Sequence, residues 1–106
     1  MTAISGSGPA YVFLFIEALQ QAAAELGFTP EQGRQLALAT VQGAAALAVQ
    51  SPEPASTLRE RVTSKGGTTE AALRVMAEKG VKEGIVAGCH AAAARGQELG
   101  KILGGD

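Results

Sequence analysis

Tyr11-Val12-Phe13-Leu14-Phe15-Ile16 is the stretch that decides how this chain folds. Six apolar residues in a row offer no polar face for nearly two turns, so a helix built on them cannot lie on the surface of a monomer. The run is also far shorter than the ~20 residues that span a bilayer. What remains is burial on several sides by protein. Ala44-Ala45-Ala46-Leu47-Ala48-Val49 poses a related problem further along. Five helices in about 100 residues can hardly enclose two such segments. Two chains sharing one core resolve the shortage, so an intimate homodimer is expected. The competing arrangement is a monomer with the first helix at its centre.

Working outward from that stretch, helical signals dominate. Ser5-Gly6-Ser7-Gly8-Pro9 reads as a flexible lead-in ending in a proline, which suits the start of a helix. The first helix is predicted from Ala10 to about Leu26, with Gly27 as its stop. Thr29-Pro30-Glu31-Gln32 combines a threonine N-cap, proline at the first position and glutamine at the third, and predicts a second helix to about Gln50. Ser51-Pro52-Glu53-Pro54 breaks it. A short helix over Ala55 to Val62, a turn over Thr63 to Gly67, a fourth helix from Thr68 to Lys79 and a fifth from Val81 to about Leu103 complete the reading. Gly80 ends the fourth helix, and Gly104-Gly105-Asp106 is expected to fray. No strand, repeat or linker is apparent.

Composition narrows the classes of function. The 106 residues suit one domain, are 46% hydrophobic and only 4% aromatic, and carry a formal net charge of -1. A core of alanine, glycine and leucine packs helices closely without large anchors. The charge balance speaks against a nucleic-acid partner. One cysteine, Cys89, excludes an internal disulfide. Nothing resembles a signal peptide, and cytoplasm is the expected location.

Most chemical constellations are missing. Cys89 and His90 are adjacent on a helix and point about 100° apart, so they do not converge on one metal ion. His90 reads as a structural or surface residue and Cys89 as a small core residue. Arg59, Arg61 and Lys65 read as a solvated face. Ser5-Gly6-Ser7-Gly8 contains Gly-x-Gly, but no strand precedes it, so it matches a dinucleotide fingerprint poorly. Thr63-Ser64-Lys65-Gly66-Gly67-Thr68-Thr69 is stronger. Consecutive glycines lead into a helix N-terminus, whose first amides lack partners and carry the positive end of the dipole. With the nearby hydroxyls they could form a small carboxylate or phosphate site. A tight turn with a threonine cap is the ordinary alternative.

Two motifs resemble one family. Ala3-Ile4-Ser5-Gly6-Ser7-Gly8-Pro9-Ala10-Tyr11 resembles the opening of the C-terminal domain of pyrroline-5-carboxylate reductase. Leu58-Arg59-Glu60-Arg61-Val62-Thr63-Ser64-Lys65-Gly66-Gly67-Thr68-Thr69-Glu70-Ala71-Ala72-Leu73 resembles that family's signature, and Gly43-Ala44-Ala45 matches its middle helix. The resemblance covers essentially the whole chain. The second motif is specific, because glycine pair, threonine pair and downstream alanine-leucine occur together.

The resemblance implies an all-α fold of about five helices, forming an interlocked homodimeric bundle similar to the C-terminal domain of 6-phosphogluconate dehydrogenase. Residues 1–106 would be a single dimerisation and substrate-binding domain, with Met1 at the inter-domain boundary and the N-terminal Rossmann domain absent. The full enzyme reduces 1-pyrroline-5-carboxylate to L-proline with NADPH or NADH, its dimers assembling further into rings. The isolated chain would bind no cofactor and would not catalyse reduction. Ser64, Gly66, Gly67, Thr68 and Thr69 would hold the substrate. The amides of Gly66, Gly67 and Thr68 would grip its carboxylate, and the Thr69 hydroxyl would face the ring nitrogen as the catalytic residue. Neither nucleic acid nor membrane is an expected partner. Lys65 stands where many members have proline, which implies a less rigid loop with added attraction for a carboxylate. The alternative function is a helical homodimerisation module with no ligand of its own.

Overall fold

The computed structural model describes residues 2–102. The expected start at Met1, the end of the last helix at Leu103 and the fraying of Gly104 to Asp106 lie outside the described residues. The fold is all-α: a π-helical turn over Thr2–Gly6, then α1 (Gly8–Glu25), α2 (Pro30–Gln50), α3 (Ala55–Arg61), α4 (Thr68–Glu78) and α5 (Val81–Ile102). Among the described residues the chain groups into two compact units, one of residues 2–12 with 72–102 and one of Phe13–Ala71.

In the first unit the opening glycine-serine stretch is ordered, contrary to the flexible lead-in read from the sequence. The Ser7 amide donates to the Thr2 carbonyl at 2.8 Å, closing the wide π turn. The half-buried Tyr11 then donates its hydroxyl to the Ala3 carbonyl at 2.8 Å. This tie comes from a side chain one helical stretch away, which composition alone does not show. The π turn packs against α5. Helix α1 begins at Gly8, two residues earlier than predicted, because Pro9 is harmless in a first turn whose amides have no intrahelical partner.

In the second unit, α1 ends in a Schellman motif. Gly27 takes φ +102, the Phe28 amide donates to the Ala23 carbonyl at 3.0 Å, and the Gly27 amide donates to Ala24 at 3.1 Å. Thr29 then opens α2 with a complete capping box: its hydroxyl accepts from the Gln32 amide at 3.2 Å, and its own amide donates to Gln32 Oε1 at 3.0 Å. These paired caps turn the chain so tightly that α2 returns against α1. The contact is made by small residues: a Cβ added at Gly33 would lie 3.2 Å from the Ala23 Cβ. Helix α2 stops where Ser51 and two prolines interrupt it, with the Ser51 hydroxyl accepting from the Glu53 amide at 3.1 Å. An exposed Arg61–Glu53 pair at 3.0 Å links α3 back to that break.

Burial is sparse. Among the described residues only Ala23, Gly33 and Ala37 are buried. Phe13 is 62% exposed, Leu14 66% and Phe15 48%. The stretch expected to be hidden is therefore bare on the single chain. The chain exposes 8448 Å². A globular protein of its mass would expose about 5,500 Å², and even two separate globular bodies of half that mass would expose about 6,600 Å² together. That is roughly 1,800 Å² more than the two separate bodies would expose.

The helical stretch Thr2–Glu25 is 24 residues long, with a mean hydropathy of 1.2 in its most apolar window, and is long and apolar enough to cross a membrane. Its length counts the alanines and polar residues around the uninterrupted run Tyr11 to Ile16. The same properties belong to the core helix of a soluble protein.

The close contact at Gly33 gives a direct test of packing. Gly33→Leu should overpack the α1–α2 contact and destabilise the folded chain by about 1–3 kcal/mol in urea denaturation, whereas Gly43→Ala, with open space around it, should not destabilise it.

Candidate functional site

The glycine loop lies between α3 and α4. As α3 ends, the Thr63 amide donates to the Glu60 carbonyl at 3.1 Å and the Thr63 hydroxyl donates to Arg59 at 2.6 Å. That hydroxyl, counted with the others in the sequence reading, is therefore committed to ending the helix. Ser64-Lys65-Gly66-Gly67 forms the next turn. The Gly67 amide donates to the Ser64 carbonyl at 3.0 Å and Gly66 has φ +77. A bond from the first residue to the fourth, with positive φ at the third, is a type II turn. Gly66 is required there because an L side chain is strained at that φ. Gly67 is required for a different reason: a Cβ would lie 3.2 Å from the Ser64 carbonyl oxygen and 3.3 Å from its Cβ.

The turn delivers the chain into α4. The Ala71 amide donates to the Gly67 carbonyl at 3.2 Å, so Gly67 is the N-cap and Thr68 and Thr69 open the helix. The amides of Thr68 and Thr69 make no hydrogen bond among the described residues, nor do the hydroxyls of Ser64, Thr68 and Thr69. Two free amides at the positive end of an 11-residue helix, with hydroxyls beside them, can accept a small carboxylate.

The structure thus brings Ser64, Gly66, Gly67, Thr68 and Thr69 into one turn, but it distributes their amides differently from the expectation. Gly67 spends its amide on the turn. Gly66 donates its amide to Glu70 Oε1 at 3.1 Å. The amides free for an anion lie further along, at Thr68 and Thr69. Glu70 is the residue the sequence reading missed. The signal was present, because a glutamate at the third helical position commonly reaches back to the amides before the helix.

His90 is exposed and Cys89 half-buried, and no cluster of metal-ligating side chains occurs among the described residues. Gly6 and Gly8 belong to the π turn and to α1.

With this geometry in place, the family is plain. Residues 1–99 match the family described as pyrroline-5-carboxylate reductase dimerisation. The chain belongs to that family. A pyrroline-5-carboxylate reductase of Vibrio alginolyticus is 46% identical over 102 residues, covering 95% of this chain and 38% of the relative. A Bacillus subtilis pyrroline-5-carboxylate reductase is 40% identical over 105 residues, again covering 38% of its own length. Among solved structures, the pyrroline carboxylate reductase of Plasmodium falciparum with NADP bound superimposes with a TM-score of 0.90 at 34% identity, over 93% of this chain and 38% of that one. That of Coxiella burnetii gives 0.89 at 46% identity, over 92% and 36%. The chain thus spans about 38% of the length of the curated relatives it matches.

The turn geometry also accounts for the position of Lys65. It is the second residue of a type II turn, where φ near −60° suits proline, and its amide makes no hydrogen bond among the described residues. Lys65→Pro should stabilise the chain by about 0.4–1 kcal/mol through the unfolded state, seen as a higher midpoint in thermal unfolding. A lower midpoint would show that the turn is of another type.

Proposed function

We propose that this chain is the dimer-forming and substrate-holding part of a pyrroline-5-carboxylate reductase, which reduces 1-pyrroline-5-carboxylate to L-proline in the cytoplasm. The carrying observation is the apolar surface of α1, bare on a single chain that matches a dimerisation family over almost its whole length. Two copies wrapping around that surface form an interlocked bundle. An excess of roughly 1,800 Å² per chain, doubled across a pair, lies in the range of obligate homodimer interfaces. Dimers of this kind assemble further into rings in the full-length enzyme.

The substrate reading rests on the turn before α4. The substrate carboxylate sits at the amides of Thr68 and Thr69, within reach of the Ser64 and Thr68 hydroxyls. The Thr69 hydroxyl faces the ring nitrogen, where it orients the ring and relays a proton. Gly66 and Gly67 shape the turn and keep it open to close approach. NADPH or NADH, held outside this chain's residues, supplies the reducing equivalents. The contribution of this chain is to position the substrate and stabilise its charge. The isolated chain therefore shows no turnover with pyrroline carboxylate and NADPH.

Thr69→Val, placed in the full-length reductase, should lower kcat about 10²-fold or more while sedimentation still shows the assembled enzyme. Unchanged kinetics would remove Thr69 from the mechanism and favour a plain dimerisation module.

A further inference from the structure

We infer that Glu70 is a positioning residue for the substrate turn, an inference that rests on the proposed role of Thr68 and Thr69. Its carboxylate accepts from the Gly66 amide at 3.1 Å. Gly66 is the point of positive φ on which the turn pivots, at +77. The next amide, that of Gly67, is held by the Ser64 carbonyl at 3.0 Å. Two successive amides are thus fixed from opposite directions, one by the turn's own backbone and one by a side chain of the helix that follows. The two amides after them, at Thr68 and Thr69, make no hydrogen bond among the described residues. Glu70 locks the turn to the first turn of α4 and so aims those free donors.

The lock is needed because the turn is otherwise loosely built. Two glycines carry the largest backbone entropy, and Lys65 does not restrict φ as a proline would. Both Lys65 and Gly66 are exposed, so packing does not hold them. A hydrogen bond to a carboxylate is stronger than one between neutral groups, and Glu70, in the first turn of α4, is only four residues from Gly66. The carboxylate also places a negative charge beside the proposed anion site. Positioning and charge therefore act in opposite directions on a carboxylate ligand, and the two can be separated by substitution.

Glu70→Gln keeps an acceptor oxygen and removes the charge, whereas Glu70→Ala removes both. In the dimeric chain, NMR measurement of fast amide exchange with water at Gly66 reads the lock directly. Titration with L-proline, followed through the Thr68 and Thr69 amides, reads its consequence. We expect Glu70→Ala to speed Gly66 exchange about tenfold, the scale of one charge-assisted hydrogen bond, and to weaken proline binding. Glu70→Gln should retain most of the Gly66 protection and bind proline at least as well as the parent chain. Unchanged Gly66 exchange in Glu70→Ala overturns the inference. Tighter proline binding by Glu70→Ala also overturns it, since the carboxylate would then be a competitor for the site. If the parent chain gives no response to proline, the substrate reading loses its support in this chain, and the exchange comparison alone decides whether Glu70 holds the turn.

Discussion

A folded chain must hide enough apolar surface to offset the entropy of ordering it, and this chain does not do so by itself. Its buried residues among those described are two alanines and a glycine. The phenylalanines of α1 lie open, as do Leu47 and Val49 near the end of α2. The architecture makes sense as half of a shared core. Within the second unit the end of α1 meets the start of α2 at small residues, Ala23 and Gly33. The large ones are held outward for a second copy. The same division explains the composition, rich in alanine and glycine and poor in aromatics.

The proposed site depends on that scaffold in a simple way. Helix α4 begins where two glycines and a type II turn bring the chain round from α3, and its first amides face away from the turn's own hydrogen bonds. Nothing in the loop is chemically unusual: the substrate would be held by backbone donors and hydroxyls. Such a site gains its selectivity from geometry, so the residues that fix the geometry matter as much as those that touch the ligand. Gly66, Gly67 and Glu70 belong to the first group. Ser64, Thr68 and Thr69 are proposed for the second.

The helices were legible in the sequence because their ends are written in local chemistry. Thr29-Pro30-Glu31-Gln32 predicted the capping box found at α2, and Gly27 predicted the stop of α1. Each of these signals acts within five residues, which is the range a sequence reading can resolve. The π turn at Thr2–Gly6 was missed because it is held by Tyr11, a contact eight residues away. The turn before α4 was read as a possible anion cradle with the amides of Gly66, Gly67 and Thr68 as donors, but those of Gly66 and Gly67 are engaged, and neither the Ser64–Gly67 bond nor the Glu70 contact can be read without the backbone path. The expected burial of Tyr11 to Ile16 is not met in one chain, where Val12 to Phe15 are exposed and Tyr11 and Ile16 only half-buried, and the proposal assigns the missing cover to a second copy.

The central claim is that the single chain is incomplete and that a second copy supplies the missing cover. Sedimentation equilibrium of the purified chain at micromolar and lower concentration tests this directly. The account predicts a dimer mass that persists on dilution, with loss of helical structure wherever the dimer finally dissociates. A stably folded monomer at the lowest concentrations, with its helical content intact, would contradict it.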